Sequence, residues 1–121
     1  MLTGKVHFTT QSERQPGKTL TVKKTENTLE RTKGLLGSQP LSSDEGLWIT
    51  PCNSVHTFGM PYALDIIYLN KRFQIRKIIS NLKPRRLSIN WFAKSVVELK
   101  AGVAARLDLK PGDIMHWNEN A

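Results

Sequence analysis

The sequence predicts a small β-rich α+β domain: a mostly antiparallel sheet, or a partly closed barrel, of six or seven short strands with one or two helices. Three observations predict it. Short runs of β-branched and apolar residues recur along the whole chain. Turn chemistry separates them, at Pro16-Gly17, Asn70-Lys71 and Lys110-Pro111-Gly112-Asp113. Helix signals occur in two places only and do not alternate with the strands, which argues against a doubly wound parallel sheet.

The elements follow in order. Lys5–Thr9 and Leu20–Lys24 read as strands around a polar loop at Thr10–Thr19. Thr25 or Asn27 can cap a helix, with Glu30 three residues after Asn27 as in a capping box. Leu29, Leu35 and Leu36 would form its inner face, and Gly34 or Gly37 its stop. Leu47–Thr50 is a short apolar strand ending at Pro51. Pro51, Gly59 and Pro61 predict an irregular loop or bulged strand between it and the stronger strand Leu64–Leu69. Asn70-Lys71 predicts a tight turn into Phe73–Ile79, followed by a loop over Asn81–Asn90. Ser95–Leu99 is another strand, Ala101–Leu107 a helix of about two turns, and Ile114–Trp117 the closing strand. Trp48, Trp91 and Trp117 are expected in the core or in a pocket wall.

A chain of 121 residues fits one domain, 1–121, and buries enough surface to fold without disulfides or metal. Its one cysteine, Cys52, excludes an internal disulfide and a cysteine-rich zinc module. Neither a signal-peptide core nor an apolar run long enough to span a bilayer is present, so a cytoplasmic protein is expected, as a monomer or weak dimer. The net charge of +8 favours anionic partners, either nucleic acid or an acidic protein.

Four stretches carry chemistry. Pro16-Gly17-Lys18-Thr19 ends like a phosphate-binding loop, but Ser12 stands where the motif needs its first glycine, and Leu20–Val22 reads as strand rather than helix. No nucleotide or other cofactor is expected. The segment Pro51–Pro61 gathers Cys52, His56, Thr57 and Met60. With Asp65 these form the candidate pocket. Asp65 shares a strand face with Ile67 and Leu69, and a carboxylate on an apolar face must be hydrogen-bonded, paired or protonated. Two further readings of this segment stay open. One is a soft-metal site at Cys52, His56 and Met60. The other is thiol chemistry with His56 lowering the Cys52 pKa and Asp65 orienting His56. Against all of these stands a purely structural role, since free cysteines are among the most buried residues. Finally, Lys71, Arg72, Arg76, Lys77, Lys83, Arg85 and Arg86 run without an intervening acid, with Trp91-Phe92 just beyond. Lys71, Arg72, Arg76, Lys83, Arg85 and Arg86 are the candidate polyanion-binding residues; the plain alternative is a solvated basic face.

Taken in order, these segments resemble a known family. Glu30-Arg31-Thr32-Lys33-Gly34-Leu35-Leu36 matches its Arg-x-x-Gly-Leu-Met helix end. Gly46-Leu47-Trp48 matches a Gly-Met-Leu strand start, and Pro51–Met60 a Pro-Cys-x-x-Val-His-Thr-Phe-x-Met segment. Leu64–Leu69, Glu98–Gly102 and Pro111-Gly112-Asp113 follow. The chain resembles the bacterial and archaeal domain-of-unknown-function family 192 over about Thr25–Trp117. The resemblance implies a compact β-rich α+β domain and no particular reaction. Leu36 and Leu47 replace methionines of the pattern, and many members are exported whereas Met1–Lys24 carries no signal. The expected function is a non-enzymatic binding or accessory domain with a pocket around Pro51–Asp65. A polyanion surface at Lys71–Arg86, and a thiol enzyme or soft-metal site at Cys52 and His56, are the alternatives.

Overall fold

A computed structural model describes residues 1–9, 19–37 and 39–119. Most of the expected Thr10–Thr19 loop lies outside the described residues.

Among the described residues, nine strands and two short helices run in the order β1 (Leu2–Thr9), β2 (Leu20–Lys24), α1 (Thr28–Lys33), β3 (Glu45–Ile49), β4 (Ser54–His56), β5 (Leu64–Leu69), β6 (Ile75–Leu82), β7 (Leu87–Ile89), β8 (Ser95–Lys100), α2 (Val103–Arg106) and β9 (Ile114–Glu119). Seven of the strands form one sheet in the order β6-β5-β8-β3-β2-β1-β9. Its ladders are antiparallel except β2–β3. The sheet curls until its two ends meet, where Met115 N–H donates to Phe73 O and Ile75 N–H to Asp113 O, both at 2.8 Å. The result is a partly closed barrel. Strands β4 and β7 form a separate antiparallel pair.

Alternation along each strand divides the apolar residues between two cores. Val6, Phe8, Leu20, Val22, Trp48, Ile67, Leu69, Val97, Leu99 and Met115 fill the barrel. Leu47, Ile49, Leu64, Ile66, Tyr68 and Val96 point outward from β3, β5 and β8 and pack under Leu35, Val55 and Met60. Strand β5 is buried at every position because both its faces are covered.

The local details explain where sequence patterns misled. Asn27 caps α1, its Oδ1 accepting from Glu30 N–H at 2.9 Å, while Glu30 Oε1 accepts from Glu26 N–H at 2.7 Å. The box is therefore shifted by one residue from its usual form. Gly34 ends the helix at φ +53°, as expected of a glycine stop. Leu29 does not face the core; it is 77% exposed. The helix stops before Leu35 and Leu36, so these reach the core from the turn beyond it and share no helical face with Leu29.

The β5–β6 connection is wider than the expected Asn70-Lys71 turn. Asn70 Oδ1 accepts from Arg72 N–H and Gln74 N–H, and β6 starts only at Ile75. It then continues to Leu82, into the segment expected as loop, and β7 forms from the remainder. Their polar residues concealed them, since Arg76, Lys77, Ser80 and Asn81 of β6 and both ends of β7 meet solvent. Trp48 is core, whereas Trp91 is 76% exposed on the turn between β7 and β8 and lines a surface groove rather than the core.

Candidate functional site

The segment Pro51–Tyr62 crosses the outer barrel face next to α1. Cys52 N–H donates to Lys94 O at 2.9 Å, and β4 within the segment pairs with β7. Between this segment and the end of α1 lies a cleft of about 290 Å³, lined by Arg31, Lys33, Gly34, Ile49, Cys52, Ser54, Val55, His56 and Glu98.

The cleft brings together only part of the expected pocket set. Cys52 and His56 line it. Thr57 is fully buried, donating its hydroxyl to Lys83 O at 2.6 Å and accepting from Arg86 N–H at 2.9 Å, so it ties the start of the segment's turn to the β6–β7 connection. Met60 packs in the outer core and not into the cleft. Asp65 lies on the barrel-interior face of β5, with Ile67 and Leu69. Its carboxylate accepts three backbone N–H bonds, from Asn81 at 2.8 Å, Gly102 at 3.0 Å and Ala104 at 2.9 Å. Asp65 thus faces away from Cys52 and His56, across the barrel wall.

The carboxyl that does reach the cleft is Glu98. In the ladders it stands opposite Leu47 on β3 and Ile66 on β5, so its outward face lies in an apolar row. It is 5% exposed. Among the described residues nothing donates to it or pairs with it, and burial alone pushes its pKa up from 4.5 to about 7. A methyl group placed on Gly34 would stand 3.7 Å from Glu98 Oε1, which locates the carboxyl under the end of α1. The alternation argument that drew attention to Asp65 applies equally to Glu98 in Ser95–Leu99, where it shares a face with Val96.

Neighbouring groups feel this carboxyl. Burial raises the Cys52 thiol above its ordinary range and Glu98 adds to the rise, while a backbone hydrogen bond at Ser54 and the Arg31 guanidinium oppose it. Tyr62 is raised by burial and then by Glu98, and its buried hydroxyl has no partner among the described residues. Such a thiol is protonated near neutral pH and a poor nucleophile. Cys52 should therefore alkylate with iodoacetamide more slowly than a free thiol at pH 7.5, and Glu98→Gln should shift the pH–rate profile to lower pH. A profile unmoved by Glu98→Gln would show that the two groups do not interact. Among the described residues no grouping of three or more His, Cys, Asp or Glu side chains has metal-binding geometry.

The basic residues separate into two places. Lys71, Arg72 and Arg76 line one shallow groove together with Lys94. Lys83, Arg85 and Arg86 lie before β7, at its other end from Trp91 and Phe92. No helix is long and apolar enough to cross a membrane.

Comparison with known proteins agrees with this architecture. A crystal structure from Sinorhizobium meliloti, described as a "putative transcription regulator", superposes with a TM-score of 0.85 at 24% identity, covering 95% of this chain and 93% of that one. A protein of unknown function from Novosphingobium aromaticivorans gives a TM-score of 0.80 at 26% identity, over 93% and 84% of the two chains. No curated protein matches. The model of the family DUF192, described as "Uncharacterized ACR", matches residues 8–117, nearly the whole chain and with it every element of the cleft. The chain belongs to the DUF192 family.

Proposed function

We propose that this domain is a non-enzymatic binding module for a small polar molecule, and that the cleft between α1 and Pro51–His56 is its site. The observation that carries this reading is the buried Glu98 carboxyl, which faces the cleft without a partner among the described residues. Burying such a group without compensation costs stability, and a valine there would continue the apolar row. Convergent polar groups on a partly apolar concave surface are the usual form of a small-ligand site.

The lining selects the ligand chemistry. Glu98 at the floor suits a hydroxyl or ammonium donor. Arg31, Lys33 and His56 along the walls suit a carboxylate or phosphate. A small compound carrying both, such as an amino acid, a hydroxy acid or a phosphorylated derivative, fits the arrangement. The unpaired thiol in the lining is in keeping with a reducing, cytoplasmic setting.

Amide-resolved NMR titration with a panel of amino acids and small hydroxy acids tests this reading. At least one compound should move resonances at Gly34, Ser54, Val55 and Glu98 as a group. Glu98→Gln should weaken that compound by roughly tenfold or more, the worth of a charge-assisted hydrogen bond. Perturbations centred elsewhere, or binding indifferent to Glu98→Gln, would overturn it.

A further inference from the structure

A second face carries an independent signal. The turn Asn90–Ala93 between β7 and β8 is tightly held: Ala93 N–H donates to Asn90 O at 3.0 Å, and Phe92 N–H to Asn90 Oδ1 at 3.1 Å. It presents Trp91 and Phe92 to solvent at 76% and 73% exposure. Exposing both rings forgoes the burial that aromatic side chains ordinarily contribute.

Grooves flank the two rings. One, of about 430 Å³, is lined by Lys71, Arg72, Gln74, Arg76, Phe92 and Lys94, with no carboxylate in its walls among the described residues. Arg76 holds its guanidinium 5.7 Å from the centre of the Phe92 ring. The other, of about 320 Å³, runs past Trp91 to Pro51 and Asn53, and Lys94 is common to both. Cations, two open aromatic faces and amide side chains therefore follow one another along a continuous shallow track.

We propose that this track binds single-stranded nucleic acid, with bases stacking on Trp91 and Phe92 and phosphates held by Arg72, Arg76 and Lys94. Stacking needs unpaired bases with free faces, which a duplex does not offer. An acidic protein would satisfy the cations but leave the rings without a planar partner. The net charge of +8 adds long-range attraction for the same class of ligand. Lys83, Arg85 and Arg86 lie outside the track and contribute only to that diffuse field.

The test is fluorescence anisotropy of labelled oligo(dT) and oligo(U) of about ten nucleotides with the full chain, over a series of salt concentrations. Binding of either strand is expected, falling steeply with salt and accompanied by quenching of Trp91 fluorescence. Trp91→Ala and Phe92→Ala should each weaken binding by roughly tenfold. The triple change Arg72→Gln, Arg76→Gln and Lys94→Gln should weaken it by more and flatten the salt dependence. The charge-matched triple Lys83→Gln, Arg85→Gln and Arg86→Gln should change it less than about threefold, being off the track. Glu98→Gln should leave it unchanged, which separates this surface from the cleft. Absence of binding at low salt would overturn the proposal. Equal weakening by the two triples, indifference to loss of the rings, or equal affinity for a duplex or for polyglutamate would do the same. The side chains changed on the track and in the Lys83–Arg86 triple are exposed, so circular dichroism of each of these variants should match the parent.

Discussion

Asp65→Ala is expected to lower the unfolding free energy by about 3–5 kcal/mol, the cost of removing a buried group that satisfies several donors. The carboxylate accepts from Asn81, Gly102 and Ala104, which belong to two elements far apart in sequence. At Asn81, β6 carries an extra residue relative to β5: the pairing passes from Leu64↔Leu82 to Ile66↔Ile79. Asn81 itself adopts a left-handed φ of +57°. Such an irregularity withdraws backbone groups from the ladder, and Asp65 supplies the missing acceptor. At Gly102 and Ala104 it serves the first turn of α2, whose cap residue is a glycine with no side-chain acceptor of its own. Truncation leaves these N–H groups without their carboxylate acceptor. Urea unfolding should show the full loss, and thermal unfolding a drop of roughly 10–20 °C for a domain of this size. Asp65→Asn should fall between, because one carboxamide oxygen remains but its NH₂ opposes a backbone donor. A loss below about 1 kcal/mol would show that water replaces the carboxylate at these sites.

Glu98→Gln is expected to act in the opposite direction, stabilising the protein at alkaline pH. The Glu98 pKa stands at about 7 in the folded protein against an ordinary 4.5. A carboxyl with a raised folded pKa favours the folded state fully below 4.5, and that contribution disappears as pH rises through about 7. Between these values the unfolded chain releases the proton while the folded one keeps it. Above pH 7 the folded protein carries a buried charge, at a cost approaching about 3 kcal/mol relative to low pH. Glutamine removes the titration and keeps the shape. The stability difference between variant and parent should therefore be small near pH 4.5 and grow in favour of the variant up to about pH 8. Denaturant titrations of both proteins across this range check it, since Cys52, Tyr62 and Tyr68, the groups coupled to Glu98, titrate above the range and the uncoupled groups cancel in the difference. Parallel curves would mean that Glu98 keeps an ordinary pKa. Bound ligand should also shrink the difference, because a donor over the carboxyl compensates the charge.

The two predictions concern two acidic residues that share one pattern, a carboxyl alternating with apolar residues in a strand, though only Asp65 was singled out by it in the sequence. Their fates differ because they face opposite sides of the same wall. Asp65 points into the barrel, where backbone donors from the β6 irregularity and α2 meet it. Glu98 points outward beneath α1 and the Cys52 segment, where no donor among the described residues meets it. Period-two alternation says which residues share a face but not which layer covers that face.

The same division runs through the whole chain. The strands Leu20–Lys24 and Leu64–Leu69, a helix cap at Thr25 or Asn27, a stop at Gly34 or Gly37 and the Lys110–Asp113 turn were legible in the sequence because each has a signal within a few residues; the structure chose Asn27 and Gly34. The barrel-like class followed from the number of short strands and their turns. The longer β6, the solvent-edged β7 and the outward Trp91 escaped because polar edge strands and loops carry no periodic signal. Convergence was decided by tertiary structure alone. Cys52 and His56 stand beside Glu98 because β8 lies between β3 and β5 in the sheet, a neighbourhood made by long-range pairing. Strand order depends on the summed burial of two cores, and no local pattern encodes that sum.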